Sequence, residues 1–205
     1  MNYDSGLDLP QKLEAELRLP SGFLQSLPSQ DDWSFIIKCH AFIEAAITDL
    51  LVTSTGREEL REPLSHLELS HPNAGKAAMA GSLGLLDKAE RRFIRAFSEL
   101  RNNLVHDVRM VNFDLPAYVA SLDANQFKAF VEAFGYVTGG TDFEHEGEVV
   151  RISEIARRNP KIMIHFGVLL LASAVYGARR VGYLKTLIDL MQKHQSEHRR
   201  AGPAA

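Results

Sequence analysis

Between Asp87 and Val108 the chain reads DKAERRFIRAFSELRNNLVHDV, and this segment limits the possible folds more than any other. Stepped around a helix at about 100° per residue, Phe93, Phe97, Leu100 and Leu104 gather within about 40° of one line. Arg91, Arg95, Ser98, Asn102 and His106 gather around the opposite pole. So narrow an apolar stripe is satisfied when it is laid against other helices. The segment therefore predicts one rod of a helical bundle.

The rest of the chain agrees with that class. In SQDDWSFIIKCHAFIEAAITDLLV, Asp31 or Asp32 can cap a helix whose apolar face carries Ile36, Cys39, Ile43, Ile47 and Leu50. Further helices are expected over Arg57 to Leu67, interrupted by Pro63, over Asn73 to Leu86, from near Asp123, and from Pro160 to about His194. MVNFDL reads as an extended exit from the Asp87 helix, and TGGTDFEHEGEVV as a loop or exposed hairpin. There is no internal repeat, little strand signal and no glycine-rich phosphate loop. The expected architecture is all-α: an antiparallel bundle with a long C-terminal helix. Residues 1–30, broken by Pro10, Pro20 and Pro28, read as an N-terminal arm; 31–195 as the bundle; and 196–205 as a frayed tail.

A net charge of -3 over 205 residues excludes a general attraction for polyanions, so any nucleic acid must be met by a local patch. A single cysteine, Cys39, excludes an internal disulfide framework and fits a reducing compartment; its isoleucine neighbours suggest a buried thiol. The N-terminus lacks the basic-then-apolar order of a signal peptide. The most apolar window, Ile162 to Val175, is too short to span a bilayer and contains His165. A cytoplasmic protein without a membrane partner is expected.

The polar face of the Asp87 helix is the feature that asks for a function. It is basic rather than mixed, and it ends in ELRNNLVHD, where two asparagines stand mid-helix against their propensity. Arg101 lies on the flank of the apolar stripe, and its long stem can carry the guanidinium to the polar side. Arg101, Asn102 and His106 together resemble the R-x4-H signature of the HEPN superfamily. The wider stretch GLLDKAERRFIRAFSELRNNLVHDVRMVNFD also resembles the mannitol operon repressor family, in its GL helix entry, its RN and H core and its following F and D. Glu44, in HAFIEAAI on an upstream helix, fits both, and the resemblance covers about Asp31 to Leu115.

The first resemblance implies a metal-independent ribonuclease that works as a homodimer, needs no cofactor and, as a toxin or defence-like protein, can have an antitoxin as partner. The residue types suit it. RNA can be cleaved by its own 2′-hydroxyl; His106 would move the protons, Arg101 would fork onto phosphate oxygens, and Asn102 would orient imidazole or phosphate. A two-fold dimer joining the Asn102 and His106 faces would add a second histidine and line the cleft with Arg91 and Arg95. The second resemblance implies a non-enzymatic transcriptional regulator. There Arg101 would pair with Glu44, Asn102 and His106 would bond across a dimer seam, and regulation would pass through a protein partner, since no helix-turn-helix stands out.

Weaker candidates lie elsewhere. His194 and His198 have a zinc-compatible spacing but no third ligand. Asp142, Glu144, His145, Glu146 and Glu148 cluster without the order of a calcium loop. His40 and Glu44, one helical turn apart, read either as a satisfied polar pair or as support for Arg101. Arg157, Arg158, Lys161, Arg179, Arg180 and Lys185 form basic runs that solvent alone can explain.

Overall fold

The computed structural model describes residues 9–135, 142–145 and 148–201. Its α-helices are α1 (Leu9–Glu16), α2 (Phe23–Ser26), α3 (Asp32–Thr55), α4 (Arg61–Ser65), α5 (Lys76–Ser82), α6 (Lys88–Val105), α7 (Leu115–Ser121), α8 (Ala124–Phe134), α9 (Ile152–Arg158) and α10 (Pro160–Ala201). A small antiparallel hairpin, β1 (Phe143–His145) and β2 (Glu148–Val150), pairs Phe143 with Val150. The protein is an all-α bundle with a long C-terminal helix.

The middle of the bundle is α3, which packs against α10, α6 and α5. Its start is fixed by the Asp31 carboxylate, which accepts from the Ser34 N–H at 2.8 Å. Its end is fixed by Gly56 at φ 65°, a left-handed conformation that glycine adopts without strain. Between them Phe35, Ile36, Cys39, Ile43, Ile47 and Leu50 are all buried, as the sequence pattern requires. Burial also pushes the Cys39 thiol pKa up, so it packs as a small hydrophobe.

On α6 the predicted stripe is the observed one: Phe93, Phe97, Leu100 and Leu104 are buried. Phe93 and Phe97 join Phe134 in an aromatic cluster with ring centroids 5.6 to 6.0 Å apart. α10 crosses this cluster at Gly167, where a Cβ would come within 2.6 Å of the Phe93 ring.

Several local expectations change. From the segment read as an N-terminal arm, Leu13, Leu24 and Leu27 join the same core as the rest of the chain. Helix α6 stops at Val105, and MVNFDL is not extended. Asp107 accepts from the Arg109 N–H at 2.9 Å and turns the chain into a 3-10 helix, Val108–Asn112. Asp114 then caps the unforeseen α7. The Arg57 to Leu67 helix splits into a 3-10 turn, Glu58–Leu60, and α4. Helix α10 continues to Ala201, through the start of the segment expected to fray. Its part Pro160–Leu184 is long and apolar enough to cross a membrane by length and composition, beyond the shorter window read from sequence. Its inner side nonetheless belongs to the core, with Ile164, Val168, Leu171, Ala172 and Val175 buried.

Candidate functional site

Two carboxylates and a capping box set the phase of α6. The Glu90 N–H donates to Asp87 Oδ1 at 2.7 Å, and the Asp87 N–H donates to Glu90 Oε2 at 2.7 Å. With the start fixed and Phe97 in the core, the last turns present Arg101, Asn102 and His106 along one side. There they meet α3 and the chain before α5 in a cleft of about 340 Å³. His40 and Glu44 of α3 and Glu68 and Ser70 of the connecting segment complete its walls. Three of the residues singled out for chemistry, with Glu44, therefore come together in one cavity.

Arg101 is half-buried in this cleft, and its Nη1 donates to Asn102 Oδ1 at 3.1 Å. That bond engages the amide oxygen and leaves the amide nitrogen of Asn102 as a donor. Among the described residues no carboxylate forms an ion pair with Arg101. The pairing of Arg101 with Glu44 expected for a purely structural motif is thus replaced. Glu44 Oε1 is held by Lys76 Nζ at 2.8 Å, and Lys76, 1% exposed, also donates to Thr48 Oγ1 at 3.2 Å. The physical reason is desolvation: an ammonium this deep must find a carboxylate, and Glu44 is the one that faces it. Lys76→Met is expected to lower stability by about 2–3 kcal/mol, below the usual cost of breaking a buried pair because Glu44 is partly exposed. Urea titration of both proteins measures it.

His40 lies behind Arg101. It is 7% exposed, and its Nε2 meets Ser98 Oγ at 3.2 Å. Burial, with the nearby Arg101 charge assisting and Glu44 opposing, lowers its pKa to about 4. Ser98 was expected among the exposed residues of α6 and is buried at 3% exposure. A wheel centred on Phe93 places Ser98 far from the stripe, whereas α3 reaches that flank of α6 with His40 and buries it.

A pH dependence follows. The folded-state pKa of His40 lies below its unfolded value of roughly 6.5. Stability is therefore complete above that pH and is lost as pH falls toward about 4, by about 2–3 kcal/mol. His40→Gln keeps a hydrogen-bonding group beside Ser98 but does not titrate. Its urea midpoint should fall less than that of the wild type between neutral pH and pH about 4.5.

Arg91 and Arg95 do not line the cleft. They border a neighbouring hollow of about 30 Å³ with His71 and Pro72, and Ser70 is common to both. Arg91 lies over Gly81, where a Cβ would come within 2.6 Å of its Cδ, and its Nε donates to the Asp87 carbonyl at 3.2 Å.

The other basic residues are largely engaged in holding the fold together. Lys161 Nζ reaches Asp32 Oδ1 at 2.5 Å and the Gln30 carbonyl at 2.8 Å. The Arg157 guanidinium lies 3.9 Å over the Phe127 ring, and Arg158 is 3.9 Å from Glu154. Arg179 joins Asp49, at 2.6 Å, and Glu16. This last network lines a cavity of about 1000 Å³, in which Arg179, Arg61 and Lys76 are held by Glu16, Asp49, Glu58 and Glu44. Of the acidic loop, Asp142 accepts from the Ile152 N–H at 3.1 Å, while Glu146 and the side chains of His145 and Glu148 lie outside the described residues. The side chains of His194, His198 and Lys185 lie outside them too. Among the described residues no group of three or more His, Cys, Asp or Glu side chains is placed to hold a metal ion.

Lys76, Ser98 and Glu68 were not anticipated as site residues. Nothing local in GKAAMAG signals a buried lysine, because its partner stands on another helix. Compared with protein-family models, with curated proteins and with solved structures, the chain matches none.

Proposed function

We propose that the protein is a metal-independent endoribonuclease of HEPN type, toxin or defence-like, with its site in the cleft between α3 and α6. The observation that carries this reading is Arg101: a guanidinium in an open cleft, bonded to Asn102 rather than to a carboxylate, with His106 lining the same cavity. In the reaction the 2′-oxygen of the RNA attacks the adjacent phosphorus and the bond from phosphorus to the 5′-oxygen breaks. The products are a 2′,3′-cyclic phosphate and a free 5′-hydroxyl. Arg101 forks onto the non-bridging oxygens as charge gathers there. The Asn102 amide nitrogen donates to the same phosphate. His106 takes the 2′-hydroxyl proton or returns one to the leaving oxygen.

His40 acts as a positioning residue, a neutral ring that backs Arg101 through the wall shared with Ser98. Removing one proton and delivering another is simpler with two exposed imidazoles. A homodimer that apposes two such clefts would supply them.

A second reading, a non-enzymatic regulator that acts through a protein partner, is favoured by one feature. Glu68 on the rim offsets the charge of Arg101, and Glu44 is already balanced by Lys76, so the cleft has no net positive charge to attract a polyanion. The two readings separate in one assay. Purified protein is incubated with RNA in excess chelator, with Arg101→Ala alongside. Cleavage by the wild type alone supports the nuclease; intact RNA with both proteins removes it in favour of the regulator.

A further inference from the structure

One demand of the proposed reaction is not met inside the cleft. Its charges cancel, yet an RNA strand has to be drawn in and held. The nearest unbalanced charge stands in the small hollow beside it, which shares Ser70 with the cleft and is bordered by His71, Arg91 and Arg95. Among the described residues no carboxylate borders this hollow.

The fold sets its donors. The Arg91 side chain lies against Gly81 of α5, where a Cβ would stand 2.6 Å from its Cδ and 2.9 Å from its Cζ. Its Nε is given to the Asp87 carbonyl, so both terminal nitrogens are left to donate. Arg95, one turn further along α6, makes no side-chain hydrogen bond or ion pair among the described residues. His71 is oriented by its own loop: Nδ1 accepts from the backbone N–H of Asn73 at 3.3 Å and of Ala74 at 3.1 Å, which puts the ring proton on Nε2. Gly75 presses on that loop so closely that a Cβ would come within 2.5 Å of the His71 backbone nitrogen.

We infer that the hollow of His71, Arg91 and Arg95 is a second phosphate site, which holds a single RNA strand by a phosphate other than the one cleaved. The inference rests on the ribonuclease reading in taking RNA as the ligand. A volume of about 30 Å³ is roughly the share of one water molecule, so the hollow takes an oxygen of a phosphate and shuts out a base. Two guanidinium groups and one imidazole N–H suit the several oxygens of a phosphate, whereas a carboxylate of an acidic protein segment is filled by a single guanidinium fork.

Spacing separates the two phosphates. Arg95 and Asn102 are seven residues apart on α6, about 10 Å at about 1.5 Å per residue. That span is wider than one phosphate group, so the anion at Arg95 belongs to a neighbouring nucleotide of the strand in the cleft. A contact of this kind fixes where the strand lies and reads no sequence.

Fluorescence anisotropy of a labelled 2′-O-methyl octanucleotide, which cannot be cut, tests it over a series of salt concentrations. Arg91→Gln with Arg95→Gln should flatten the slope of log affinity against log salt by about 0.7, the contribution of one phosphate in a single strand. Arg101→Gln should flatten it by a similar amount, and all three changes together by about 1.4, because different phosphates are lost. Arg95→Gln alone, on an exposed side chain away from Gly81, should show part of the loss in a protein with an unchanged thermal melt. The loss should be the same for two octanucleotides of unrelated sequence. A wild type that does not bind, a double variant with the wild-type slope, or a triple variant no flatter than Arg101→Gln overturns the inference. So does an oligoglutamate of equal charge that competes as well as the octanucleotide, which would assign the hollow to an acidic protein. Cleavage of ordinary RNA is scored separately: cut RNA with an unchanged slope removes this site and keeps the ribonuclease reading, and intact RNA with a flattened slope does the reverse.

Discussion

Replacing His106 by alanine is expected to slow RNA cleavage about 10²–10⁴-fold, the range that a positioned acid or base supplies. The same change should leave thermal stability within about 0.5 kcal/mol of the wild type. Both halves follow from its position. His106 caps the end of α6 through its backbone N–H, which bonds to the Asn102 carbonyl at 3.3 Å, and alanine keeps that bond. Its side chain is exposed on the cleft wall and makes no side-chain hydrogen bond or ion pair among the described residues. Single-turnover cleavage rates beside thermal melts of the two proteins read the two effects independently. A large loss of stability together with activity would mean that the ring supports the fold rather than the reaction.

The second large effect lies on the opposite face of the same helix. Phe97→Ala should destabilise the protein by about 3–5 kcal/mol, the range for emptying a buried aromatic site. Phe97 is 0% exposed and packs at 5.7 Å from Phe93 and 6.0 Å from Phe134, ring centroid to ring centroid. Phe93 is itself held by the close approach of α10 at Gly167, so the neighbours cannot collapse freely into the space. For a chain of this size each kcal/mol moves the melting temperature by about 2–4 °C, which gives a drop of roughly 6–20 °C by calorimetry. Helix α6 is thus anchored by one face and available for chemistry on the other.

That division was visible in the sequence because its causes are local. Asp31, Asp87 and Asp123 each cap the helix that follows, as a short acidic residue before an apolar-periodic run implies. Pro160 opens α10 for the same kind of reason. The nearness of Arg101, Asn102 and His106 also follows from helical spacing alone. What escaped the sequence is set by contacts between distant segments. Helices α7 and α9 have seven residues each, too few to show a period. Lys76 looks like a surface lysine until α5 is laid on α3 and its ammonium meets Glu44. Lys161, Arg157 and Arg179 read as basic runs, yet each is held by a residue remote in the chain: Asp32, Phe127 and Asp49. Ser98 was misplaced because α3 covers α6 from the flank, which only the packing reveals.

The chemistry of the RNA ends tests the central claim most directly. An oligoribonucleotide is cleaved in excess chelator, its ends are identified by mass, and the assay is repeated with a single 2′-deoxy residue at the mapped cut. The proposed mechanism predicts a 2′,3′-cyclic phosphate and a 5′-hydroxyl from the first substrate and no cut at that position in the second. Cleavage of the deoxy substrate there, or ends bearing a 5′-phosphate, would contradict it, because the attacking oxygen would then not be the RNA's own.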